Sequence, residues 1–491
     1  MTAVVEREGA DSAAPSRAPA GDRVRLLASR FGRTPMVAFW LIVVAILVAP
    51  ILLFLLVAFS PRLFDQGSAW LTIGGFRAAL SGPFVRGVVD SMLVGVASAV
   101  SATAVGSGVA WAVLRTDVPG RRLWSGSMYA LLLAPSYLVA LGWERLLEPL
   151  GVLDTMGLHP GGLRPLFYGP FGIIVVLALK GVPFSYLAVT GALRGLGEEF
   201  EIAARVHGGT RIDGMRINLA LLAPALWSAV AIVFAESISD FGVAATLGVD
   251  SHFPLATYTL YNAIDAFPVS FPVAASVGWV LMAMAGLALL AQSRALRGRS
   301  YRVLGGRSRP ARRIRLQARA KVVTASALLL LTVVALGVPA FGAVSASLIS
   351  GLGSLAGSHT LTFSNYSRVL RSPALRGPLM YSARMAVITA SLTVVMAAVS
   401  ARLLASRGQR LSSRALDLML LTAVALPGIV FAAGYIFTYN LRIVNSLGVH
   451  LYETTTLLVL GYLATALPST SRVLLAPVGQ VQSSLAEAGR V

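Results

Sequence analysis

Apolar residues along this chain gather into long blocks separated by short polar connectors, and the blocks have the length a bilayer imposes. A helix needs roughly 20 apolar residues to cross a hydrocarbon core. Blocks of that size run over 37–59, 88–114, 123–143, 168–192, 217–243 and 271–292, then over 322–347, 378–404, 415–438 and 452–475. The pattern predicts an all-α polytopic membrane protein with six spans ahead of a basic linker at 293–321 and four behind it. The first block is too long for a signal peptide and lacks a small-residue cleavage site, so it reads as a retained helix. Ahead of it, residues 1–36 read as a disordered cytoplasmic tail, Ala/Pro-rich and ending in the basic stretch "RVRLLASRFGR".

The linker separates two copies of one plan. "FRAALSGPFVRG" (Phe76 to Gly87) aligns with "YSRVLRSPALRG" (Tyr366 to Gly377), matching Leu80/Leu370, Pro83/Pro373, Arg86/Arg376 and Gly87/Gly377. "APSYLVALGW" (Ala134 to Trp143) pairs with "LPGIVFAAGY" (Leu426 to Tyr435), keeping Pro135/Pro427 and Gly142/Gly434. An even number of spans separates equivalent helices, so both copies insert the same way up. Two parallel halves, over 37–292 and 322–491, then face each other across a pathway.

One connector carries too much pattern to be slack. In "GLGEEFEIAARVHGGTRIDGMRINL" (195–219), Phe200, Ala203, Ala204 and His207 recur at helical spacing, and Glu201 precedes Arg205 at i, i+4. Gly208 and Gly209 break this short amphipathic helix, and Thr210 with Asp213 resembles a capping box that starts the next one. The small-residue face suits a groove on a soluble partner. An interfacial helix resting on lipid is the alternative, although such helices usually carry larger anchors than Phe200 alone.

Charge adds orientation. The net charge is +20, yet only 13% of residues are charged, and eleven of the 41 Lys and Arg lie in the linker. Placing the N-terminus in the cytoplasm puts most of them inside, as the positive-inside rule requires. The linker then reads as a tether near anionic lipid heads with no chemistry of its own. Nucleic-acid binding needs a basic face on a soluble fold, which this distribution excludes. No cysteine is present, so disulfides and thiolate metal sites are excluded, and the five histidines show no metal-ligand spacing.

"EAGRV" (Glu487 to Val491) and "EIAARVHGGTRIDGMRINL" resemble the EAA loop of permease subunits of binding-protein-dependent ABC importers. That family's pattern is Glu-Ala-Ala, three residues, Gly, nine residues, Ile, one residue, Leu-Pro. With Glu201 as the Glu, the spacing reaches Ala203, Ile217 and Leu219, while His207 stands for Gly and Ala220 for Pro. Read through the internal repeat, Ile202 replaces the Glu and Gly208 is the Gly. Two fused permease domains look most like the iron(III)-type group, and "ESISDFGVAATLGVDSHFPLATYTLYNAI" is similar to a region of those proteins.

The resemblance implies a transport subunit, not an enzyme, in a bacterial inner membrane. Its coupling helices would seat Phe200, Glu201, Ala203, Ala204, Arg205, Gly208 and Gly209 in one half, and Leu485, Glu487, Ala488, Gly489 and Arg490 in the other, on two copies of a separate ATPase. An extracytoplasmic binding protein would dock outside. The chain itself is expected to bind no cofactor. It has no GxxxxGK[ST] loop, so ATP and Mg2+ belong to the partner.

Ferric iron is the expected cargo, with thiamine, phosphonate or polyamine on the same architecture as alternatives. A secondary transporter with two six-span halves is a further alternative. It would not be expected to repeat an EAA-like helix after the fourth span of each half.

Charges inside spans are the pathway candidates. Lys180 lies well inside the fourth block, and Gly181 and Pro183 are expected to open the helix beside it. It either meets an anionic group or is a structural charge. Glu236 and Asp240 share a face near the outer mouth, where interfacial solvation is the competing reading. The chain stops within "SSLAEAGRV", where Ser484 and Glu487 form a second capping box. In the first half about 86 residues separate Val206 from the end of the sixth block, so repeat logic predicts a truncated second half.

Overall fold

The structure is a computed structural model and describes residues 36–197, 202, 206–208, 210–296, 313–350, 361–405, 410–424 and 426–480. The spans appear as helices α1 (Met36–Val57), α2 (Gly82–Arg115), α3 (Arg121–Leu133), α4 (Ser136–Leu147), α5 (Pro170–Gly195), α6 (Arg211–Ser239) and α7 (Phe271–Ala295). Behind the linker follow α8 (Ala318–Leu348), α9 (Pro373–Ala405), α10 (Arg410–Val424), α11 (Gly428–Tyr439) and α12 (Thr455–Gln480). Eight described helices are long and apolar enough to cross a membrane, or ten if two bent pairs each count as one span. The protein is an all-α polytopic membrane protein.

The two bent pairs are the third and ninth blocks. The first bends by 97° between α3 and α4, and the second by 106° between α10 and α11. Pro135 causes the first break: a residue before proline is pushed out of the helical region, and Ala134 adopts ψ 125°. Pro427 stands at the equivalent point and heads α11. The repeated prolines therefore mark broken helices, where hydropathy alone predicts straight ones.

Each half packs its own second and fourth spans together, α2 with α5 and α9 with α12. The first helix of each half instead crosses to the other, α1 onto α11 and α8 onto α4. Both crossings use the same chemistry. A Cβ added at Gly434 would lie 2.9 Å from the Pro50 carbonyl oxygen, and one at Gly142 would lie 2.7 Å from the Pro339 carbonyl carbon. Glycine at these sites permits backbone to touch backbone, which is how helices gain close packing in lipid. Pro50 and Pro339 each follow a widened π turn, over Val44–Val48 and Val333–Gly337. A proline ring clashes with the carbonyl four residues back and offers it no N–H. The Ile46 carbonyl so freed accepts the Tyr435 hydroxyl at 2.7 Å, while Tyr439 donates to Ala45 at 3.2 Å. In the other crossing Trp143 stands where Tyr435 does, and its buried indole N–H has no partner.

Outside these crossings the halves differ. Gly95 on α2 lies against Phe234 and Ile238 of α6. At the matching register of the second half, Met385, Thr389 and Thr393 of α9 line an open groove of about 580 Å³ shared with Tyr462 and Thr465 of α12. The Thr389 and Thr393 hydroxyls are buried there without partners.

Replacing Gly142 by Val should overpack the α4–α8 crossing and cost about 2 kcal/mol, read as a lowered thermal midpoint in detergent micelles. Gly126→Ala, at a position where a Cβ meets open space, should leave the midpoint unchanged.

Candidate functional site

Lys180 sits on α5, half-buried, and its ammonium group reaches the break between α3 and α4. It donates to the Leu131 carbonyl at 2.9 Å and to the Ala134 carbonyl. These belong to the last turn of α3, where the helix dipole is negative and carbonyls lack intrahelical donors. A cation is stabilised there. The expected opening of α5 does not occur: the helix continues through Pro183. Gly181 serves packing instead, since a Cβ there would lie 2.9 Å from the Ala102 Cβ.

The other side of the break is held by the opposite charge. Asp240 follows the last residue of α6, and its Oδ1 accepts the Val243 N–H at 2.7 Å, capping the next turn. It also bonds the side chain of Ser136, the first residue of α4. Thr257 fastens the same corner by donating to the Asp240 carbonyl at 3.0 Å. Lys180 interacts electrostatically with both Asp240 and Glu236. Glu236 keeps an exposed surface on α6 although protein crowds around it. The fold thus brings all three predicted pathway residues together around one helix break: Lys180 at the carboxyl end of α3, and Asp240 at the amino end of α4.

Sequence reasoning missed one member of this neighbourhood and a buried carboxylate further along α4. Ser136 was legible as the residue after an Ala-Pro step, the usual restart signal of a broken helix. Glu144 on α4 is buried, with one carboxylate oxygen lacking a partner, and it falls just beyond the apolar block that predicted the span. Arg472, on α12, pairs with Asp417 of α10 at 3.0 Å.

The loop at 195–219 is described in part. Phe200, Glu201, Ala203, Ala204, Arg205 and Gly209 lie outside the described residues, as do Leu485, Glu487, Ala488, Gly489 and Arg490. Ile202 and Val206 are helical and exposed, and Gly208 turns the chain with φ 75°. Thr210 then caps α6: its N–H and its hydroxyl donate to Asp213 Oδ2 at 2.8 and 2.7 Å, and the Asp213 N–H returns to Thr210 Oγ1. Of the helix–elbow–helix expected at 195–219, the described residues show a left-handed turn at Gly208 and a full capping box behind it.

No protein-family profile matches the chain. Curated relatives do. A ferric transport system permease protein of Actinobacillus pleuropneumoniae is 24% identical over 453 residues, covering 88% of this chain and 62% of that protein. A putative ferric transport system permease of Haemophilus influenzae is 24% identical over 400 residues, covering 78% and 60%. The chain is thus similar to permease proteins of transport systems along most of its length. The sulfate transport system permease protein of Salmonella typhimurium is 29% identical over 199 residues, covering 40% of this chain and 71% of that protein. The chain spans about 60% of the length of the two ferric permeases.

Lys180→Met should leave two carbonyls in the helix bundle without a donor and destabilise the protein by about 2 kcal/mol, seen as a lower unfolding midpoint. The Thr210–Asp213 cap should respond to pH. Hydrogen bonds from Thr210, the side chain first and the backbone second, hold the Asp213 carboxyl below its usual value. Its contribution is therefore complete above the unfolded carboxylate value of about 3.9 and lost as pH falls through the lower folded value. Amide exchange at Thr210 and Asp213, corrected for intrinsic rate, should stay protected from pH 7 to about 5 and open only below about 4.

Proposed function

We propose that this chain is the transmembrane permease subunit of an ATP-driven importer in a bacterial inner membrane, with its N-terminus in the cytoplasm. It forms the pathway for a small solute handed over by an extracytoplasmic binding protein, and ferric iron is the favoured cargo. The reading divides the chain into a first permease domain at 37–292, a linker at 293–321 and a second permease domain at 322–491. The observation that carries the cargo is the reach of the similarity. The ferric relatives follow this chain through both halves and the linker, whereas the sulfate relative follows only 40% of it.

The geometry supports a route for the work. Two copies of a separate ATPase take the cytoplasmic helices into their clefts and draw them together as they close on ATP and Mg2+. In the first half the moving helix is joined at the Gly208 elbow to α6, which starts at a full capping box and stays continuous through Pro224. With 29 residues at 1.5 Å each, α6 carries displacement over about 43 Å. Its far end is Asp240, in contact with Ser136 at the broken helix, with Glu236 and Lys180 beside it. Motion at the cytoplasmic surface is thereby delivered to the one charged break inside the first half's bundle. Carboxylate oxygens suit a hard cation, so Glu236 and Asp240 are assigned to the cargo path, and Lys180 balances them.

Gly208→Val tests the docking end. The left-handed conformation costs a β-branched residue about 1–2 kcal/mol, while the open space around the site spares the rest of the fold. Affinity purification of the native chain from its own membranes should retain a Walker-motif ATPase, and the variant should lose it at unchanged expression. Retention of the ATPase by Gly208→Val would contradict the assignment of this elbow.

A further inference from the structure

The end of the basic linker is not slack. Ile314 pairs in parallel with Thr116, in the short connection between α2 and α3. The Ile314 N–H donates to the Arg115 carbonyl at 2.8 Å, and the Asp117 N–H donates to the Ile314 carbonyl at 3.2 Å. Asp117 then reaches further along the linker. Its Oδ1 accepts the Leu316 N–H at 2.9 Å, and its Oδ2 pairs with Lys321 at 2.8 Å. Leu316 and Lys321 flank the start of α8, the first helix of the second half. From the other side, the buried Arg115 guanidinium donates to the Leu196 carbonyl at 2.8 Å. Leu196 is the residue at which α5 ends and the cytoplasmic loop begins.

Electrostatics explains why Asp117 belongs there. A helix start favours negative charge, yet the first turn of α8 contains no acidic residue and carries Arg319 and Lys321. The missing anion is supplied by Asp117, from the other half of the chain. The hydrogen bond from Leu316 first, and Lys321 second, hold its carboxyl below the usual range, so it is charged at neutral pH.

We propose that Arg115, Asp117 and Lys321 are positioning residues forming a strap that ties the root of the first half's cytoplasmic loop to the first helix of the second half. A displacement of that loop then reaches α8 directly through Leu196, Arg115, Ile314 and Asp117. From α8 it passes to α4 through the Pro339–Gly142 crossing. The strap makes the two halves respond together although their covalent connection is a long basic segment. Its role in transport rests on the importer reading, but its geometry does not.

The natural absence of cysteine makes the test direct. Spin labels at Val206→Cys and Val322→Cys, both exposed positions, report the distance between the loop and α8 by pulsed electron resonance in lipid vesicles. The intact strap should give a narrow distribution, Asp117→Ala and Lys321→Ala should each widen it about twofold, and Lys321→Arg should restore it. In the complex with the co-purified ATPase, Asp117→Ala should also raise the ATP consumed per solute moved by about threefold, with the ATPase still retained. An Asp117→Ala distribution as narrow as that of the unsubstituted chain overturns the strap. If the label distances respond while uptake needs no ATP, the strap stands and the importer reading falls.

Discussion

The architecture depends on two places where backbone meets backbone across the halves. In lipid, apolar side chains gain nothing from leaving water, so helices associate through close packing and satisfied polar groups. Gly142 and Gly434 let α8 and α1 approach to contact, and Pro339 and Pro50 supply the carbonyls they meet. The prolines also force the wide turns beside them, and in one crossing the freed carbonyls become acceptors for Tyr435 and Tyr439. Each half therefore contributes one helix to the other's packing, so neither can shift without moving its partner.

That exchange gives the broken helices their setting. α4 and α11 run off at steep angles from the spans they continue, and each is covered by the crossing helix from the opposite half. In the first half the break exposes carbonyls and N–H groups inside the membrane, where such groups need partners. Lys180 and Asp240 provide them with charges matched to the helix ends. The same residues then serve two ends: they hold the broken span together, and they link it to α5 and α6, which flank the loop at 195–219. A structural charge and a pathway charge are not exclusive alternatives at this site.

Much of this was legible in the sequence, but only as parts. Hydropathy located every span, because block length is set by the bilayer rather than by tertiary contacts. The repeat exposed Pro135/Pro427 and Gly142/Gly434 as paired features. It did not show that each glycine meets a proline some 200 or 400 residues away, since partner choice depends on crossing geometry that a linear pattern does not encode. The capping box at Thr210 was readable because its chemistry is local. Lys180 was singled out by its charge, while its partners were hidden because they are backbone carbonyls, which no residue code reveals. The linker misled for a different reason. Its many arginines gave it the look of a uniform tether, whereas Ile314 is fixed by the backbone of Arg115 and Asp117, and Leu316 and Lys321 by the Asp117 carboxylate, in a connector about 200 positions earlier.

The central proposal is that this chain passes solute only when a separate ATPase works on its loop at 195–219. The direct measurement is uptake of radiolabelled ferric iron into vesicles that contain the natural chain and its co-purified ATPase, with the binding protein outside. Uptake that requires internal ATP, stops when the ATPase is inactivated and ignores collapse of the proton gradient is the predicted result. Uptake that proceeds without ATP and follows the proton gradient would contradict the account.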